Sequence, residues 1–259
     1  MYPKKQLNIA HPWLGFIEPF RILKGISFIG TYQASVHMID TGDGLVILDT
    51  GYLKTFYTVV NGIYQLGYTP KDIKYVLLTH WHGDHTEGVM PLLSLAPNTK
   101  TVIGIRDDRE VIQRNYFNPD IVVKDGDTLT CGKVTFRFVE TPGHTVGTVS
   151  VFFDYEQDGR IYHAGMFGGA GPAALFADHA NYYEGCRDDY FASLQRLKQE
   201  KVDLFLGNHC WNNNTDEKAK LLKENPSVNP FVDDKEFYTF LDFCAARVRA
   251  RMRKEHLDK

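Results

Sequence analysis

Thr79-His80-Trp81-His82-Gly83-Asp84-His85 places three imidazoles and one carboxylate within six positions. Residues of this type at this spacing read as a metal site, because imidazole nitrogen and carboxylate oxygen are the donors that zinc and related divalent ions take. Residues 74–78 before the loop form an apolar run that reads as a short buried strand, and residues 86–93 after it read as the first turns of a helix. The histidines therefore sit on a strand-to-helix loop. His80 and His82, two positions apart, can point the same way, while Asp84 and His85 turn toward a neighbouring position as the helix starts. One loop can serve two metals.

Further ligands have to come from other loops, and two segments repeat the same pattern. Residues 138–145 read as a strand ending in a Pro-Gly turn followed by His144, and residues 202–209 as a strand ending in Gly207, Asn208 and then His209. Strand ends are rigid places to hold ligands, and loops leaving one edge of a sheet converge. The resulting assignment gives His80, His82 and His144 to one metal, and Asp84, His85 and His209 to the other. Nitrogen ligands with a single carboxylate suit zinc best, with manganese, iron and cobalt as the other ions such a set admits.

The elements that must hold these loops are short strands alternating with helices. Residues 26–29, 36–39 and 45–48 read as strands, the last two joined by the hairpin signal Thr41-Gly42-Asp43-Gly44. Leu53, Phe56, Tyr57, Val60 and Tyr64 recur at helical spacing before Gly67 and Pro70. Residues 101–105, 134–139, 149–153 and 160–163 read as further strands. Tyr190, Phe191, Leu194 and Leu197 mark an amphipathic helix, and 202–206 a buried strand. Phe237, Leu241, Cys244, Val248 and Met252 mark a long closing helix over about 234–256. The pattern suits sheets covered by helices in one domain spanning 1–259, with residues 1–20 as an N-terminal arm.

Composition narrows the class. The chain has 259 residues, 43% hydrophobic and 13% aromatic, enough to bury a sizeable core. Its net charge of −3 offers no basic footprint for nucleic acid. Arg247, Arg249, Arg251, Arg253 and Lys254 cluster at the end, where they suit a solvated helix C-terminus opposing the macrodipole. No run reaches the length of a membrane span and no signal-peptide core opens the chain, so a cytoplasmic protein with no membrane partner is expected. Cys131, Cys186, Cys210 and Cys244 lack CxxC spacing and are expected as reduced thiols. The sequence sets no expectation for oligomeric state.

Leu48-Asp49-Thr50-Gly51, the HxHxDH loop, Thr141-Pro142-Gly143-His144-Thr145 and His209 occur in the order found in the metallo-β-lactamase superfamily, which the chain resembles over nearly its whole length. The resemblance implies an α+β fold, an αβ/βα sandwich of two mixed sheets face to face with helices outside, and a dinuclear site at one edge. It also implies that Asp49 orients a ligand histidine. One departure stands out. Hydrolytic members of the glyoxalase II and acyl-homoserine lactonase types carry an aspartate in a Gly-Asp pair that bridges the metals, whereas here Met166 follows Gly165. A thioether does not bridge two zinc ions as a carboxylate does. An Asp-His-His second site without a bridging side chain resembles the third subclass of metallo-β-lactamases. Glu18-Pro19-Phe20-Arg21-Ile22 and Asp189-Tyr190-Phe191-Ala192-Ser193-Leu194 are similar to that subclass as well. The serine-bearing segment that holds a β-lactam carboxylate is replaced by Phe167-Gly168-Gly169-Ala170-Gly171-Pro172.

Two divalent ions sharing a water lower its pKa toward about 7 and supply hydroxide at neutral pH. The expected function is therefore a dinuclear zinc hydrolase that attacks the carbonyl of a small molecule, opening an amide or lactam, or else a lactone or ester. Asp84 would orient the water besides acting as a ligand, and Trp81, Met166, Phe167, His179 and Trp211 are the candidate substrate-pocket residues. Two alternatives are a metal-dependent oxidoreductase like the persulfide dioxygenases of the same superfamily and a non-catalytic metal-binding protein. Met166 speaks against the first, because those enzymes bind iron through the Gly-Asp aspartate. Three protein ligands per metal, which leave a position for water, speak against the second.

Overall fold

Successive side chains along the apolar runs face opposite layers, both of them buried, in two stacked sheets. The computed structural model describes residues 11–114 and 117–257. Its first sheet has seven strands in sequence order: β1 (Phe20–Leu23), β2 (Ile26–Phe28), β3 (His37–Asp40), β4 (Leu45–Leu48), β5 (Ile73–Leu77), β6 (Lys100–Gly104) and β7 (Ile121–Val123). Strands β1 to β4 pair antiparallel, and β4 to β7 pair parallel. The second sheet contains β8 (Thr128–Cys131), β9 (Val134–Glu140), β10 (Val149–Gln157), β11 (Arg160–Met166) and β12 (Leu204–Phe205), ordered β12-β11-β10-β9-β8. Only its β11–β12 pair is parallel.

Helices α1 (Phe56–Gln65), α2 (Gly83–Thr86), α3 (Val89–Leu95) and α4 (Asp108–Arg114) belong to the first half. Helices α5 (Cys186–Leu197), α6 (Cys210–Asn213), α7 (Thr215–Glu224) and α8 (Glu236–Lys254) belong to the second. Three apolar layers hold the elements together. Phe28, Ile39, Val46 and Leu48 of the first sheet meet Phe136, Phe138, Val151 and Phe153 of the second. The alternate residues Leu45 and Ile47 pack outward with Val59 and Ile63 of α1 and Leu92 of α3. On the far side Val139, Phe152 and Phe205 pack with Tyr190 and Leu194 of α5 and Phe237, Leu241 and Val248 of α8. This is the expected four-layer αβ/βα sandwich. Burying one phenylalanine contributes roughly 1.5–3 kcal/mol, so fully buried Phe28, Phe136 and Phe138 firmly clamp the sheets whose ends carry the ligands.

Several features depart from the sequence reading. The helix after the histidine loop begins earlier, at Gly83, and breaks before Val89. The break follows from close packing: a Cβ on Gly88 would lie 2.5 Å from the Thr50 carbonyl oxygen. The C-terminal arginines are not simply a solvated face. Arg251 stacks 3.9 Å over Phe176 and pairs with Asp178, Arg249 lies over Phe191, and Arg247 over Phe243. The four cysteines are free and buried, as expected. Among the described residues no helix is long and apolar enough to cross a membrane. Residues 1–10 of the expected arm lie outside the described residues.

Candidate metal centre

Five loops meet at one edge of the sandwich, each leaving the C-terminal end of a strand: Asp49 after β4, residues 79–85 after β5, Asp107 after β6, His144 after β9 and His209 after β12. Parallel strands release their loops on the same side, which is where open α/β sheets collect ligands. Backbone hydrogen bonds close the edge between the sheets, from Val149 N–H to Thr79 O (2.9 Å) and from Ser35 N–H to Asn208 O (3.1 Å).

The six residues assigned from sequence come together. His80, His82 and His144 offer ring nitrogens within 4.8 Å of one another, and so do His80 and His85 with the Asp84 carboxylate. His82 Nδ1 lies 3.0 Å from His144 Nε2. Asp84 Oδ2 lies 3.4 Å from His85 Nε2 and 3.9 Å from His209 Nε2. His80 stands between the two groups, its ring 4.7 Å from His82 and 4.1 Å from His85. Two buried atoms decide whether this cluster suits a cation. His80 Nε2 is enclosed and has no hydrogen-bond partner in the protein, an expensive arrangement for a polar group unless something else takes the lone pair, and the equally enclosed His85 Nε2 has only the Asp84 carboxylate beside it, at 3.4 Å. The donor set therefore fits divalent metal.

Behind the ligands, a hydrogen-bonded frame fixes which nitrogen each ring presents. Buried Asp49, in the left-handed region at φ 58°, accepts the Thr79 N–H (2.8 Å) at Oδ1. Its Oδ2 accepts the Thr79 hydroxyl (2.9 Å) and the His85 Nδ1–H (2.7 Å). With its proton given to Asp49, the Thr79 hydroxyl accepts the His80 Nδ1–H at 3.1 Å. Asp49 thus orients two histidines, one directly and one through Thr79. His144 Nδ1–H donates to Gly171 O (2.7 Å), and His209 Nδ1–H donates to Gln33 O (2.6 Å). Such partners fix tautomer and ring angle.

Electrostatics divides the ligands. Burial, joined by neighbouring imidazoles, pushes His80 well below its ordinary value and His82 down to about 2. Burial likewise pushes His144 and His209 down to about 4. These rings are neutral at pH 7, the form that gives a lone pair to metal. Burial would lower His85 as well, but the Asp84 and Asp49 carboxylates outweigh it and raise the ring to about 10. Burial would raise Asp84, yet His85, His209 and His82 hold it well below the usual carboxylate range. A cation reaching His85 below pH 10 must therefore displace a proton. Filling the Asp84-His85-His209 group at pH 7–9 is expected to release about one proton per ion, and filling the three-histidine group none. Calorimetry in buffers of different ionisation enthalpy reads this directly, and equal release at both steps would contradict it.

Sequence reading missed Asp107. Its Oδ2 accepts the Trp81 N–H (3.2 Å) and the Thr145 hydroxyl (2.7 Å), and its Oδ1 accepts the Gly147 N–H (2.8 Å), so one carboxylate ties the His80–His85 loop to the His144 loop. Burial raises it to about 6 against the pull of those three donors. A carboxyl whose folded value is raised is most favourable to stability when protonated. Its contribution falls as pH climbs from the unfolded value of 3.8 through about 6, leaving a cost on the order of 3 kcal/mol at neutral pH. Asp107→Ala is expected to weaken metal binding by the three-histidine group by about 10–100-fold, measured by competition with a chromogenic chelator.

The candidate pocket residues divide. The Trp81 ring packs edge-on to His82 at 4.4 Å, with Arg114 4.6 Å over its face. Trp211 stacks on His209 at 4.3 Å. His179 Nδ1 accepts the Asn181 N–H at 3.1 Å. Met166 and Phe167 are a correction to the sequence reading: at 0% and 1% exposure they pack in the core layers and line no open surface. The glycine segment beyond them passes directly against His144, where a Cβ on Gly169 would lie 2.8 Å from the His144 Cβ. His163 pairs with Asp154 across β10 and β11 and joins neither group. His37 Nε2–H donates to Gly207 O (2.9 Å), steadying the approach to His209.

The sequence model of the metallo-beta-lactamase superfamily matches residues 29–209, well over half of the chain. The chain belongs to this superfamily. A hydroxyacylglutathione hydrolase of Francisella tularensis subsp. novicida is 30% identical over 156 residues, which are 60% of this chain and 56% of that protein. The chain thus spans little more than half the length of the curated relatives it matches. BJP-1, a subclass B3 metallo-β-lactamase of Bradyrhizobium japonicum, superposes with a TM-score of 0.86 at 27% identity, covering 95% of this chain and 98% of that one. FEZ-1 from Legionella gormanii shares the fold, with a TM-score of 0.83 at 23% identity over 93% and 97% of the two chains. The subclass of BJP-1 matches the resemblance drawn from the ligand order, and the relatives named are hydrolases and metallo-β-lactamases.

Proposed function

We propose that the protein is a dinuclear zinc hydrolase of small molecules, with His80, His82 and His144 holding one ion and Asp84, His85 and His209 the other. The observation that carries this reading is the buried, partnerless Nε2 of His80 set among the ring nitrogens of His82, His85 and His144 and the Asp84 carboxylate. When bound, divalent ions at such a centre polarise a carbonyl and make water acidic enough to supply a nucleophile near neutral pH. The chain's own groups do the rest. Asp84 turns Oδ2 toward His85 and His209, which leaves Oδ1 to accept a hydrogen bond from an attacking water and aim it. Held as a carboxylate by the surrounding imidazoles, it keeps that acceptor over the working pH range. Trp81 and Trp211, each in contact with a candidate ligand ring and partly exposed, are the apolar groups nearest the centre for substrate to meet.

A strained cyclic amide is the substrate class we favour, because the likeness to BJP-1 extends over nearly the full length of both chains. A thioester is the second reading, favoured by the 30% identity to a hydroxyacylglutathione hydrolase. Zinc-loaded protein assayed on β-lactams, lactones, esters and S-acylglutathiones tests both, with His82→Ala as control. Hydrolysis of at least one class that vanishes in the control is the expected result. Activity surviving in the control would contradict the reading, as would a metal-loaded protein inert toward every class.

A further inference from the structure

Asn181 lies 99 positions from His82 in sequence, yet its side-chain amide sits 2.8 Å from His82 Nε2. The other ring nitrogen, Nδ1, faces His144 Nε2 in the three-histidine group. A neutral imidazole has one lone pair and one N–H. If Nδ1 gives its lone pair to a cation, Nε2 carries the hydrogen and needs an acceptor. The amide nitrogen, which faces the ring, cannot accept, but a half-turn about the last side-chain bond exchanges nitrogen for oxygen with no other change of shape. We infer that Asn181 is the positioning residue of His82, its amide oxygen accepting the Nε2–H and so committing Nδ1 to the metal. The inference rests on the metal reading above, and it adds a residue outside all five loops that build the site.

The segment bearing Asn181 is held in place at several points. Arg251 of α8 makes two contacts to Asp178 (2.6 and 2.8 Å) and covers the Phe176 ring. Arg187 lies over Phe176 and Tyr182 and donates to Leu175 O. The Tyr183 hydroxyl donates to Asp189 (2.8 Å), and the Asn181 N–H donates to His179 Nδ1. Each other ligand histidine has its remaining nitrogen held by Asp49, Thr79, Gly171 or Gln33. Asn181 fills the same place for His82.

Two variants test this with readouts other than turnover. Asn181→Leu removes the acceptor, and Asn181→Asp keeps it. In zinc-loaded protein with nitrogen-15-labelled histidine, NMR reports whether the hydrogen of the His82 ring resides on Nε2 and how fast it exchanges with water. Asn181→Leu is expected to speed that exchange at least about tenfold and to weaken zinc binding by the three-histidine group about 10–100-fold. Asn181→Asp is expected to restore both, and the melting midpoint of metal-stripped protein should not move in either variant. Unchanged exchange and affinity in Asn181→Leu would overturn the inference, and so would an Asn181→Asp protein as impaired as Asn181→Leu. Wild-type protein that takes up no zinc at the three histidines would overturn the metal reading along with it. Loss of the hydrolase reading alone, with zinc bound, would leave these readouts and the inference standing.

Discussion

His144→Ala should abolish hydrolysis while leaving the sandwich folded. His144 is partly exposed at the opening of the site, and its ring packs edge-on to His80 at 4.6 Å and His82 at 4.7 Å. Its removal leaves two imidazoles where three stood. A bound divalent ion provides several kcal/mol of charge stabilisation. At 1.36 kcal/mol per tenfold in rate, losing one ion lowers turnover by ~10³-fold or more. Metal content by elemental analysis should fall by about one ion per chain, while far-ultraviolet circular dichroism stays as in wild type. Turnover within tenfold of wild type would remove His144 from the chemistry.

Asp49→Ala has the second large effect, and a different one. This carboxylate is fully buried and accepts from Thr79 N–H, Thr79 Oγ1–H and His85 Nδ1–H. Alanine leaves the main-chain donor and the imidazole without partners, which costs roughly 3–5 kcal/mol where a buried charged pair is broken. His80 and His85 lose their orientation together, one in each ligand group. Both ions should therefore bind more weakly by about 10–100-fold, and the melting midpoint should fall, in contrast to His144→Ala. Asp49→Asn, which retains one acceptor, should be intermediate on both measures. A drop in the affinity of only one ion would show that the Thr79 relay to His80 does no orienting.

The cluster of candidate ligands was legible because each member announces itself locally. Four donors stand side by side on one strand-to-helix loop, and His144 and His209 each follow an apolar strand and a glycine. The inner strands were legible for a different reason, since both of their faces are covered and burial leaves them as short continuous apolar runs. Strands β1, β7 and β8 are short and each leaves residues exposed or half-buried, so no continuous apolar run marks them. Helix α7 is mostly polar, with only Thr215 and Asp216 buried, so no apolar stripe betrays it. Asp107 and Asn181 were hidden for another reason. Their partners lie 26 to 40 and 99 positions away, and nothing next to either residue signals the approach. Met166 was misread in the opposite sense: its place after Gly165 suggested the site, whereas strand alternation turns it into the layer between the sheets.

The most direct measurement is a crystal structure of zinc-loaded protein with anomalous scattering recorded on both sides of the zinc edge. Two peaks are expected, one bonded to His80 Nε2, His82 Nδ1 and His144 Nε2, the other to Asp84, His85 Nε2 and His209 Nε2, with ligand distances of about 2.0–2.2 Å. A single peak, or a second peak that leaves His209 uncoordinated, would contradict the two-ion centre.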